Sequence, residues 1–406
     1  MQKSTKVLAV LGVAALALAG CAAGDGGGGG GIGADDPIRI GASIPVTGPL
    51  APFGPIIEAG YQAAVDDVNA AGGITIDGTE HQVELVILDN ETDPNKVTEQ
   101  ARTLVLSDGV VGLLGSVTPG LTIPAANVAE LEGVPMVSTL TPNGAWASGN
   151  ADGWQYAWNL FMDEQQFSDI AYATADTVET NKKVVIFADT EEDGVATGGL
   201  WEADAPGKGY EIAYRADNPA GTTDFTNDIN AAKSAGAEIL LAILAPPDAF
   251  ALWEQMKALD YVPDLAFCLK CSSTAAFQAV LGETAEATSN VYLANPSDAP
   301  EWAEVTARFE AEYGQNVDRS SVLAAYSAAR ILLDAIAAAG SVDGAAVNDA
   351  IAATDQEYPI GHVRFREDHS FPADAATLQW FGDAQLEVFP AGGEADLVTP
   401  VTGLQS

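Results

Sequence analysis

Three observations predict an α/β chain with two doubly wound parallel-sheet lobes. Short apolar runs alternate with amphipathic helical segments from residue 38 to 138. The same alternation restarts at Lys183 and runs to about Ala294. No heptad or short repeat interrupts either set. Strands alternating with helices of this length are the pattern of parallel sheets covered on both faces.

In the first set, Ile38–Ser43 reads as a strand. Pro55 opens a helix, where its fixed φ and missing N–H cost nothing. Tyr61, Ala64, Val65 and Val68 form that helix's apolar stripe, and Gly72-Gly73 end it. Val83–Leu88 is a strand. Asp93-Pro94 caps and starts a helix running to about Ser107. A strand at Val110–Leu114, a helix near Ile123–Glu130 and a strand at Val134–Ser138 follow.

The second set begins with a strand at Val184–Ala188 and a helix near Val195–Ala203. Glu211–Arg215 is a strand. Thr223 or Asp224 caps a helix reaching Ser234, which Gly236 ends. Strands at Glu238–Leu244 and Leu265–Leu269 flank a helix at Pro247–Leu259. Thr274–Leu281 and Val291–Ala294 make a further unit, followed by helical patterns at Glu301–Tyr313 and Ser321–Ala339. The end is strand-rich, at Val363–Phe365, Leu378–Phe381 and Leu386–Phe389.

The N-terminus carries Lys3 and Lys6, an apolar run from Val7 to Leu18, and Leu18-Ala-Gly-Cys21. The run is short for a membrane span and suits a cleaved signal over residues 1–20. The small residues before Cys21 resemble a lipobox, which implies acylation of Cys21 and an extracytoplasmic, membrane-anchored protein. A plain secretory signal cleaved near the alanines is the alternative. Gly24–Gly33 is nearly all glycine and reads as part of a flexible tether over residues 21–36. Beyond the signal, no segment is expected to reach spanning length.

With 57 acidic and 17 basic residues the formal charge is −40, which argues against nucleic-acid partners and anionic lipid surfaces. Cys268 and Cys271 remain after Cys21. They read as a local disulfide or two quiet thiols, with a redox motif as the alternative. Three histidines without helical pairing supply no metal site, and no cofactor is expected.

Open parallel sheets bind ligands at the carboxyl ends of their strands. The loops there are Ser43–Gly54, Gly115–Leu121 and Ser138–Trp146 in the first lobe, and Asp189–Gly194, Ala245–Pro247 and Leu269–Ser273 in the second. Their hydroxyls and helix-start amides suit a carboxylate or another polar head. Phe53, Trp146, Trp154, Tyr156 and Trp158 could wall an apolar pocket; alternatively Trp154–Trp158 is a half-buried strand with alternating rings. Among the acidic residues of Asp189–Asp193, Asp193 is the best placed, because Gly194 beside it permits a tight approach. No Gly-x-Ser-x-Gly elbow, Walker loop or His-Glu-x-x-His is present, so catalysis is not expected.

Residues Ile38-Arg-Ile-Gly-Ala-Ser-Ile-Pro-Val-Thr-Gly-Pro-Leu-Ala-Pro-Phe-Gly54, with the helix ending Asp67-Val-Asn-Ala-Ala-Gly-Gly-Ile74, resemble the leucine/isoleucine/valine-binding proteins of ABC importers. Glu132-Gly-Val-Pro-Met-Val-Ser138 and Thr223-Asp-Phe-Thr226 support the resemblance, which covers about residues 37–390. It implies a type I periplasmic-binding fold: lobe 1 from 37–158 and 295–357, lobe 2 from 159–294 and 358–395, and a three-strand hinge that closes on ligand.

The resemblance also implies ligand contacts. Carboxylate-holding positions fall at Val117, Thr118 and Gly120, and at Thr139, Leu140 and Thr141. Aromatic positions fall at Phe53, at Asp193, and near Pro246 or Pro247. The position that pairs with a ligand ammonium falls near Lys270 or Cys271. Pro119 removes a hydroxyl and an N–H, and Lys270 would repel an ammonium, so a carboxylate without the amine, an amide or an aromatic acid fits as well as an amino acid. The expected function is an ABC-importer solute-binding lipoprotein working with permease and ATPase subunits. A ligand sensor for a membrane signalling partner and a thiol-based extracellular enzyme are the other readings.

Overall fold

The computed structural model describes residues 32–294, 299–314 and 318–405. The expected export signal, Cys21 and the tether as far as Gly31 lie outside the described residues.

Six parallel strands form the first sheet, in the order Ser370–Pro372, Ala157–Phe161, Met136–Thr139, Gly112–Leu114, Ile38–Ile44 and Val83–Asp89. Seven form the second: Ala384–Phe389, Ala375–Phe381, Ser289–Leu293, Leu265–Leu269, Ile239–Ile243, Lys183–Asp189 and Glu211–Asn218. The last five of these run parallel, and the Ala375 and Ala384 strands add an antiparallel pair at one edge. The central strands are buried along their whole length, as sheets covered on both faces require.

The expected caps are in place. Asp93 accepts from the Asn95 amide at 2.8 Å with Pro94 in the first turn. Gly236 ends its helix in the left-handed conformation. The helix after Thr223 opens at Thr226, whose amide donates to Asp224. Two helices start earlier than the apolar periodicity indicates, at Thr118 and at Glu192, because their first turns are built from loop-like residues that face the cleft. The turn Asp77-Gly78 closes a small hairpin, Ile74–Ile76 with Thr79–His81, that the sequence reading passes over.

The chain crosses between the sheets after Phe161, after Leu293 and after Pro372. The third crossing falls later than the expected boundary after residue 357. Asp355–Tyr358 and Gly361–Arg364 form a hairpin beside the lobe 1 helices, and Ser370–Pro372 then pairs in register with Asn159–Phe161 of the first sheet. The lobe 1 return therefore includes residues to about 372. Around the crossings, Asn143 donates to the carbonyls of Phe161 (2.8 Å) and Phe371 (3.2 Å). Arg366 makes a bidentate pair with Asp163 at 3.0 and 2.9 Å. The Glu164 carboxylate accepts from the Gly144 and Ala145 amides at 2.6 Å each, so a residue at the start of a lobe 2 helix caps the short lobe 1 helix Asn143–Ser148.

Helix Asp318–Ala339 is long and apolar enough to cross a membrane by length and composition, unlike the expectation above. It is instead the core helix of lobe 1, buried along most of its length. Helix Gly54–Ala70 packs directly on it. Gly60 makes this approach possible: a Cβ there would lie 2.5 Å from the Val322 carbonyl oxygen and 2.7 Å from Ala325 Cβ. Both are backbone or near-backbone atoms that cannot move alone. Gly60→Val is accordingly expected to lower stability by about 1–3 kcal/mol by overpacking, measurable as a lower denaturation midpoint with unchanged slope.

Candidate functional site

The carboxyl ends of both parallel sheets meet across one cleft. Its inner cavity leaves about 50 Å³ for the centres of water-sized molecules. Lobe 1 supplies Phe53, Val117, Thr118, Leu140, Pro142 and Phe161. Lobe 2 supplies Phe167, Asp193, Ile243, Leu269, Lys270, Ser273, Val291 and Tyr292. Ten of these are apolar or aromatic, and the polar groups are few, which is the usual composition of a small-molecule site. An outer chamber continues from it, bounded by Pro49, Leu50, Gly120 and Leu121 on one side and by Glu191, Glu192, Ala220 and Ala245 on the other. Thr118, Asp193 and Lys270 line both spaces.

Three residues lining the inner cavity hold left-handed backbone without being glycine: Thr118 (φ 58°), Leu140 (φ 56°) and Lys270 (φ 64°). Leu140 and Lys270 directly follow strand ends, and Thr118 opens the helix after the Gly112–Leu114 strand. The conformation is costly for residues with a Cβ and persists where surrounding structure imposes it. The Thr118 amide donates to the Leu140 carbonyl at 3.1 Å, tying two of these turns together. Lys270 lies between Cys268 and Cys271, which are joined as a disulfide and fully buried. The covalent bridge thus closes the turn that carries the lysine. Buried and joined, the two sulfurs offer no accessible thiol.

Electrostatically the site is dominated by one cluster. Lys270 Nζ lies 2.7 Å from Asp189 Oδ2 and 3.0 Å from Asp193 Oδ1. The Lys270 side chain is 8 % exposed and that of Asp189 is 0 % exposed. Burial alone would pull the lysine's pKa down; the two carboxylates more than reverse this, and the ammonium ends above its ordinary range. Burial pushes Asp189 up to about 6, against the pull of Lys270. Gly194 is required for this packing, since a Cβ there would lie 2.1 Å from Asp189 Oδ1 and 2.4 Å from its carbonyl oxygen. All three charged residues belong to lobe 2, so the cluster does not depend on closure.

Of the residues singled out from the sequence, Phe53, Val117, Thr118, Leu140, Asp193 and Lys270 converge on the inner cavity. Gly120 borders the outer chamber only. Thr139, Thr141, Trp146 and Pro247 line neither space. The Thr139 hydroxyl donates to the Leu160 carbonyl at 2.7 Å and that of Thr141 to Thr122 at 2.9 Å, so both are spent within lobe 1. Trp146 is buried against Trp154, with ring centroids 4.5 Å apart. Pro247 is exposed, while Pro246 is buried at the helix start. Trp158 stacks on His369 instead of walling the pocket. Pro142, Leu269 and Ser273 line the cavity from the strand-end loops named in the sequence analysis, whereas Phe161, Phe167, Val291 and Tyr292 reach it through the segments flanking the crossings, which no local pattern announces. Among the described residues, no group of three or more His, Cys, Asp or Glu side chains is arranged to hold a metal ion.

Residues 37–385 match the family model described as periplasmic binding protein. The chain belongs to that family. This binding protein is 27 % identical over 388 residues to the leucine-, isoleucine-, valine-, threonine- and alanine-binding protein of Pseudomonas aeruginosa, covering 95 % of this chain and 98 % of that one. It is 26 % identical over 405 residues to Leu/Ile/Val-binding protein homolog 7 of Brucella suis, covering 95 % and 96 %. Among solved structures it resembles the isoleucine complex of LivJ from Streptococcus pneumoniae (TM-score 0.75, 22 % identity, 90 % and 100 % covered). It also resembles a solute-binding protein of R. palustris in complex with benzoate (TM-score 0.74, 19 % identity, 89 % and 97 % covered). The fold is the type I periplasmic-binding fold, and the chain is a non-enzymatic, extracytoplasmic solute-binding protein.

Replacing Lys270 would leave two buried carboxylates without a counterion. Lys270→Met is expected to cost about 3–5 kcal/mol at pH 7, the range for breaking a buried pair. The sign with pH follows from the direction of the shifts. Without the ammonium, the folded-state pKa of Asp189 rises further above its unfolded value, so the folded state binds the proton more tightly. The variant's deficit should therefore shrink as pH falls from 7 toward 4, read by urea unfolding at several pH values.

Proposed function

We propose that this protein is a lipid-anchored ligand trap that captures one small molecule in the cleft and presents the closed form to a membrane permease with its ATPase. The single observation that carries the reading is an inner cavity walled from both lobes, apolar along most of its lining and polar at one end. Such a site favours a molecule with a hydrocarbon body and one polar head, within the range of amino acids and related acids, amides and aromatic acids.

Lobe 1 supplies Phe53, Val117, Thr118 and Leu140, with Gly120 toward the mouth; lobe 2 supplies Asp193 and Lys270. Thr139, Thr141 and Trp146 act by fixing the loops behind these contacts. Binding to both walls at once favours the closed arrangement by the ligand's differential affinity for it. The lobes are 37–161 with about 299–372, and about 163–293 with 375–395. Anchoring through Cys21, after cleavage of residues 1–20, rests on the lipobox-like sequence.

Two measurements test the reading. Small-angle scattering is expected to show a smaller radius of gyration on addition of a ligand found by thermal-shift screening. No change with any compound that raises the melting temperature would count against a trap. Cys21→Ser is expected to move the protein from the membrane to the soluble extracytoplasmic fraction; an unchanged distribution would remove the anchor.

A further inference from the structure

The charged end of the cavity points to the ligand's chemical class, given that the cleft is a ligand trap. Lys270 is the one cation that lines either chamber among the described residues. Its ammonium has three donors; one is given to Asp193 Oδ1 at 3.0 Å, and the nitrogen lies 2.7 Å from Asp189 Oδ2 in an ion pair. Because those partners sit on the same lobe, at the end of the Lys183–Asp189 strand and in the first turn of helix Glu192–Lys208, the cluster is assembled before ligand arrives. A ligand ammonium reaching Asp193 would have to lie beside an ammonium that is already there and covalently held. A ligand carboxylate would instead meet the remaining lysine donor, with Thr118 and Ser273 nearby on the cavity wall. Apart from Asp193, whose carboxylate is already paired with Lys270, the rest of the inner lining is mainly hydrocarbon.

We propose that the native ligand is a small monocarboxylate with a branched or aromatic hydrocarbon body and no α-ammonium group, and that Lys270 is the residue that reads its carboxylate. The disulfide and the left-handed turn hold Lys270 at this place, which makes the two cysteines positioning residues.

The test uses matched pairs that differ only in the amine: 4-methylpentanoate against L-leucine, and 3-phenylpropanoate against L-phenylalanine. Each is titrated calorimetrically into the purified protein. At least one acid is expected to bind tenfold or more tightly than its amino acid. Lys270→Arg should keep that preference, whereas Lys270→Met should lose it by at least tenfold. Should Lys270→Met fail to fold, the wild-type preference and its retention in Lys270→Arg still decide. An amino acid binding as tightly as its acid, or both acids failing to bind, would overturn the assignment of class. In either case the trap itself stands if any compound in a wider panel contracts the scattering profile, and falls only if none does.

Discussion

Lys270 sits with its ammonium 2.7 Å from one buried carboxylate and 3.0 Å from another, both on its own lobe. Much of the site's local construction follows from holding that arrangement in place. Asp189 can lie against the next helix only because residue 194 has no side chain. The lysine can aim inward only because its backbone takes a left-handed turn, and the Cys268–Cys271 bridge closes that turn. An ion cluster taken out of water is not a source of net stability in itself. Its value here is positional: it fixes the Lys270 ammonium and the Asp193 carboxylate in a cavity whose lining is otherwise mostly hydrocarbon.

The lobe 1 wall is organised differently. Its hydroxyls are largely consumed inside the lobe, with Ser138, Thr139 and Thr141 bonded to neighbouring strands and helices. Asn159 extends this network by donating to the Thr141 carbonyl and the Asn143 side chain. What remains facing the cleft is mostly apolar: Phe53, Val117, Leu140, Pro142 and Phe161. One wall thus supplies shape and the other supplies charge. Between them, Glu164 and the Asp163–Arg366 pair tie the first and third crossings to lobe 1 elements. Burial raises the pKa of Glu164 despite the two amides it accepts from.

The two-lobed α/β architecture was legible in the sequence because periodicity, caps and terminal glycines agree at nearly every element, as at Asp93-Pro94 and Gly236. Phe53 and Asp193 follow from the loops at strand ends, and Val117, Thr118, Leu140 and Lys270 from the family resemblance; all six line the cavity. Less was legible where position depends on long-range pairing. Nothing near Ser370 shows that it pairs with Asn159, so the last crossing was expected too early. Tyr292 and Val291 were read as a strand, but their facing the ligand space depends on where the chain leaves lobe 2. The threonines at 139 and 141 carry the right chemistry for a carboxylate, yet nearby acceptors in the fold claim their protons first. Three features with a clear local signal are absent from the sequence analysis: the Asp77-Gly78 hairpin, helix Glu164–Ala175 with its Asp163/Gln166 capping box, and helix Gly344–Ala352 capped by Asp343.

The threefold passage of the chain between the sheets has a practical corollary. Each half of the molecule is assembled from sequence-distant pieces, with Ser370–Pro372 completing a sheet begun at Ile38. No single cut in the polypeptide can therefore liberate either half intact. Fragment libraries, truncations and chimeras that exchange a contiguous stretch would sever a sheet, whereas a graft confined to the loops at one sheet's end, such as 189–194 with 269–273, leaves both scaffolds whole.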